Sequence, residues 1–197
     1  MGGGTVNNNS LNVDYYGSPK DLSKRQFKNS GVSSYVISPV DNLDKFSNTY
    51  ANCTGVIVAG INKNTGENIS FMSHQDPGYF LISDEAKEKF KTDLVERLRE
   101  MKEKCKPGTL DAIILGENYF KGVHRSGANA SLAEDYITSI KLLSSEINNV
   151  LNFEPTVMTG PKRTPREDDV FYDNNNRRVY IQRPTVGNST TDSYQPK

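Results

Sequence analysis

The chain has 197 residues, enough for one well-buried core, and its 24 basic side chains balance 24 acidic ones, so at a formal net charge of +0 no global field draws it toward nucleic acid or anionic lipid. Hydrophobic residues make up 35%, below the roughly 45–50% of ordinary globular domains, a figure that also counts glycine, so part of the chain is expected to lie outside the packed core. No apolar run approaches the about 18 residues of a membrane-spanning helix, and Met1 to Ser10 carries neither the basic nor the apolar segment of a secretory leader, so no membrane insertion is expected.

Residues 1–30 are rich in Gly, Asn, Ser and Lys without a sustained period and read as a flexible N-terminal arm. The folded domain is expected over 31–183, and the polar stretch 184–197 reads as a disordered C-terminal tail. Ser33 to Ser38 reads as a short strand stopped by Pro39. The β-branched run Gly55 to Ile61 turns at Asn64-Thr65-Gly66 into Asn68 to Ser73, a hairpin.

Ser83 then stands as an N-cap, Asp84 and Glu85 suit the positive end of a helix dipole, and Ala86, Phe90, Leu94, Leu98, Met101 and Cys105 recur at helical spacing before Pro107-Gly108. That spacing predicts a helix over 83–105. Leu110 to Leu115 reads as a buried strand, and the capping box Ser131-Leu132-Ala133-Glu134 opens a second helix running to about Leu151. Short strands follow at Thr156 to Thr159, Val170 to Tyr172 and Arg178 to Gln182. Two long helices among about seven strands predict an α/β (α+β) sandwich with a mostly antiparallel central sheet.

Two cysteines without a CxxC or a Cys/His cluster argue for a reducing, cytoplasmic setting and against a structural zinc site. Cys105 falls on the apolar stripe of the first helix and reads as core. Cys53 and His74, taken singly, read as a small packed thiol and a strand-end histidine. Together they mean more. Folding the hairpin about Thr65 sets His74 opposite Val56 or a neighbour, with Cys53 diagonal to it at the open end, where an imidazole can accept a thiol proton and return it to a departing group. His124, between Gly116 and Ala130, reads as a surface residue or part of a lid, and Lys162, Arg163 and Arg166 read as a solvated loop.

The run Ser47-Asn48-Thr49-Tyr50-Ala51-Asn52-Cys53-Thr54-Gly55-Val56, followed by Ser70-Phe71-Met72-Ser73-His74, resembles the chemotaxis receptor glutamine deamidase CheD and its structural relatives among the cytotoxic necrotizing toxins. In that family a hydroxyl residue precedes a Cys by a few positions, a hairpin follows, and a His closes its second strand. The stretches Asp111 to Phe120 and Asp169 to Arg183 are similar to the family's strand into a Gly-rich segment and its closing hairpin, so the resemblance covers about residues 33 to 183. It departs where Ala51-Asn52 replaces Gly-Ser and where Thr159 to Pro165 replaces a Gly-Gly segment.

The resemblance implies a cysteine-dependent amidohydrolase, foremost a protein glutamine deamidase, with Cys53 as nucleophile and His74 as proton acceptor. Ser47 or Thr49 would orient His74 or the substrate amide, and backbone N–H groups around Thr54 and Gly55 would hold the oxyanion. No cofactor or metal is called for, and the partner is a protein bearing an exposed glutamine. An amine in place of water would give transglutamination. The alternative is a non-catalytic protein-binding module on the same scaffold; phosphate or nucleotide binding is weaker, since no P-loop or dinucleotide fingerprint occurs. Replacing Cys53 or His74 is expected to remove activity with little change in stability.

Overall fold

The computed structural model describes residues 12–14, 35–50, 53–116, 128–159 and 168–182. His124, the Lys162 cluster, the tail 184–197 and all of the N-terminal arm except 12–14 lie outside the described residues. In chain order the elements are β1 (Asn12–Asp14), β2 (Tyr35–Ile37), β3 (Lys45–Tyr50), β4 (Thr54–Ile61), β5 (Asn68–Gln75), α1 (Pro77–Phe80), α2 (Asp84–Lys104), β6 (Asp111–Gly116), α3 (Ala128–Leu151), β7 (Thr156–Thr159), β8 (Asp168–Asp173) and β9 (Arg178–Gln182). The fold is mixed α+β, with strands in the orders β2-β5-β4-β6-β7 and β1-β9-β8-β3. Pairing is antiparallel except between β6 and β7 and between β1 and β9.

The layering follows from the three inner strands of the larger sheet. β4, β5 and β6 are buried along almost their whole length on both faces, so each face needs its own cover. Alternate residues divide between the two sides. Val56, Val58, Ile69 and Phe71 pack with Phe90, Leu94, Leu98, Met101, Leu143 and Ile147 of the helices. Ile57, Ala59 and Met72 point the other way, against Tyr50, Val170, Tyr172, Val179 and Ile181 of the smaller sheet. The closing hairpin expected from the sequence is therefore not part of the central sheet. Its alternating apolar residues cover that sheet's second face, a layer the period-two pattern alone does not assign.

Local chemistry sets the element ends. In the β4–β5 turn, Asn62 O accepts from Gly66 N at 2.9 Å, and Gly66 takes φ +78°, which suits a residue without Cβ. Ser83 caps α2, its hydroxyl accepting from Ala86 N at 3.1 Å; Asp84 and Glu85 sit in the first turn and Lys102 and Lys104 in the last, as the helix dipole favours. At its far end Cys105 is buried, with Sγ where a Cβ on Gly60 would come within 2.5 Å.

Several stretches depart from the sequence expectations: Pro77–Phe80 forms the short helix α1, and α3 begins at Ala128, so the Ser131–Glu134 box falls inside the helix and does not open it. Asn12–Asp14, inside the expected arm, forms an edge strand parallel to β9, and Lys45–Tyr50, too polar to register as a strand, is β3. Among the described residues no helix is long and apolar enough to cross a membrane.

Candidate functional site

Of the candidate residues, Ser47, Cys53, Gly55 and His74 lie at one end of the space between the two sheets. In the register of the β4–β5 hairpin, Gly55 lies opposite His74 and Thr54 opposite Gln75, which leaves Cys53 at the entrance to β4. The expected pairing of His74 with Val56 or a neighbour falls on Gly55. Cys53 has the same strand parity as Gly55, Ile57 and Ala59, and it packs against the inter-sheet core while remaining half-buried. His74 shares this face with Met72, so thiol and imidazole occupy the same side of the larger sheet.

The smaller sheet supplies the other half. Ser47 and Tyr50 are both buried, yet residues three apart in a regular strand face opposite ways. Between them the pairing of β3 with β8 shifts, from Ser47 opposite Val170 to Tyr50 opposite Asp168. The extra residue on β3 is a bulge, which turns both side chains inward. Ser47 Oγ lies 2.8 Å from His74 Nδ1, and the Tyr50 ring stacks on the imidazole with centroids 4.0 Å apart and planes at 11°. The Tyr50 hydroxyl donates to Ser73 O at 3.0 Å. Thr49's side chain lies outside the described residues, so Ser47 is the hydroxyl that the structure brings to His74.

Burial governs the electrostatics. His74 is 5% exposed, and loss of water pushes its pKa from 6.5 down to about 4, so the imidazole is neutral at physiological pH. Burial drives the Tyr50 phenol well above its ordinary value; Ser47 beside it works in the opposite direction, and Cys53 is close enough that a thiolate there raises it further. At Cys105, burial pushes the thiol up to about 11, countered in part by Arg177 and Lys104.

Thr54 faces the helices. Its hydroxyl lies 2.6 Å from Ser139 Oγ of α3 and accepts from Gln75 Nε2 at 3.1 Å, so only its backbone is left to serve the Cys53 side. Thr54 and Gly55 have strand partners on both flanks, β5 and β6, a competing use for their N–H groups. Gly55 has a clear steric role: a Cβ there would lie 2.5 Å from Ser73 O and 2.6 Å from the Tyr50 hydroxyl oxygen.

Among the described residues no group of three or more His, Cys, Asp or Glu is placed to hold a metal ion. Tyr50 is the residue of the site that sequence reasoning misses. Its one signal is an aromatic ring in an otherwise polar run, and its contact with His74 depends on a bulge and on the packing of two sheets. The chain matches no family model and no curated protein.

Proposed function

We propose that the protein is a cysteine-dependent amidohydrolase on a CheD-like scaffold, acting on protein glutamine side chains. The observation that carries this reading is the buried 2.8 Å contact of Ser47 Oγ with His74 Nδ1, made on the sheet face that also bears Cys53. When Nδ1–H donates to Ser47 Oγ, the lone pair is on Nε2, the tautomer a general base requires.

The Cys53 thiol gives its proton to Nε2 as Sγ bonds to the carboxamide carbon. The proton passes to the amide nitrogen, the C–N bond breaks and ammonia leaves, giving a thioester. Water then adds, losing its proton to Nε2; the C–S bond breaks, and the thiol is restored beside a glutamate side chain. An amine in place of water would yield a cross-linked amide. The chemistry suits a reducing, cytoplasmic setting, with both cysteines held as thiols.

A non-catalytic protein-binding module is the second reading, favoured by how fully His74 is buried and stacked. Ammonia release and the Gln-to-Glu mass gain on candidate proteins separate the two. Activity that disappears in Cys53→Ala supports the hydrolase, and a fully active Cys53→Ala protein overturns it.

A further inference from the structure

We propose that Tyr50 is a positioning residue for the His74 imidazole, and that Gly55 is the gap in β4 that admits it; the catalytic part of this proposal rests on the hydrolase reading. Two constraints meet on one ring. Ser47 holds its Nδ1 edge, which fixes rotation in the ring plane, and the Tyr50 face lies parallel to it, which fixes the plane itself. The hydroxyl also donates to Ser73 O, on the residue next to His74, but it is the ring face that fixes the imidazole plane. Nε2 is thereby held to one direction.

Ordinary core packing would not need this arrangement. Glycine inside a central strand is less stable there than alanine, and a bulge interrupts the β3–β8 ladder. Both departures serve the same contact: the bulge turns Tyr50 inward beside Ser47, and Gly55 leaves the space that its hydroxyl occupies. The groups in contact with the imidazole are the Ser47 hydroxyl and the Tyr50 ring from β3, and Cys53, at the entrance to β4, packs against the same inter-sheet cluster as Tyr50.

The test uses the full chain and iodoacetamide as probe, reading the pH profile of Cys53 alkylation alongside NMR of the His74 ring. Tyr50→Phe keeps the ring, while Tyr50→Met fills the space without one. The expected result is a profile within about twofold of the unsubstituted protein for Tyr50→Phe and alkylation about tenfold slower near neutral pH for Tyr50→Met, because a base held out of line loses its assistance. Equal profiles in all three proteins, or Tyr50→Phe falling as far as Tyr50→Met, overturn the proposal. In the unsubstituted protein the His74 ring protons must also show the upfield shift of a nucleus over an aromatic face, and its absence overturns the proposal even if Tyr50→Met does not fold. None of these readouts needs a glutamine substrate, so failure here is distinct from an active Cys53→Ala protein.

Discussion

Cys53 and Cys105 share a chemical identity and differ in everything around it. Cys53 is half-buried at a strand entrance, whereas Cys105 is buried against Gly60 with its pKa pushed up to about 11. Iodoacetamide followed by peptide mapping is expected to label Cys53 first; preferential labelling of Cys105 would contradict the placement. If Cys53 and His74 act as one unit, their double alanine variant should be scarcely less active than either single one, as turnover measurements would show. The expectation of unchanged stability needs revision for His74. Its removal leaves a space beneath Tyr50 and takes away the partner of Ser47, so His74→Ala should lower stability by about 2 kcal/mol in urea titrations. His74 also makes stability depend on pH. The unfolded chain takes up this proton near pH 6.5 and the folded chain only near pH 4, so the contribution is whole above pH 6.5 and falls by up to about 3 kcal/mol as pH drops through that window. His74→Gln should flatten that part of the profile.

Elements whose pattern carries their own burial were legible in the sequence. The β-branched run of β4 and its Gly66 turn mark a buried strand in a hairpin, and the stripe Phe90, Leu94, Leu98, Met101 on α2 encodes which side of that helix is covered. β3 was not, because Lys45, Ser47, Asn48 and Thr49 give it no apolar alternation, and the bulge breaks what period remains. The site inherited that gap: Cys53 and His74 could be paired from hairpin arithmetic, whereas the choice between Ser47 and Thr49 needed the register of β3. The cap of α2 was readable from Ser83, whereas the Ser131–Glu134 box did not mark the start of α3, which begins at Ala128. Ser83→Ala should destabilise the protein by about 1 kcal/mol with activity retained, since it removes the acceptor for Ala86 N far from Cys53 in sequence and on another element; thermal melts of the variant check this.

At the scale of the whole molecule the larger sheet is covered by helices on one face and by the smaller sheet on the other. Amides of β4, paired on both flanks, should exchange slowest, and those of β2 and β7 at the sheet edges faster. β1 borders the smaller sheet although it comes from a stretch whose composition suggested no structure. Removing residues 1–14 should speed hydrogen exchange in Arg178–Gln182 and leave β4 unchanged, as peptide-resolved exchange would reveal.

β3 ends at Tyr50 in the smaller sheet and β4 begins at Thr54 in the larger one, so Ser47 and Tyr50 ride on one layer and His74 on its neighbour, with Cys53 at the entrance to β4. On the proposed mechanism, alignment of the Cys53 thiol with His74 is then a measure of how the two layers are keyed. A sliding of the sheets by about an ångström would throw the imidazole out of gear while every helix stayed intact. In mild denaturant, rapid Cys53 labelling should therefore fade before the far-ultraviolet helix signal does, as a clutch disengages while the engine still turns.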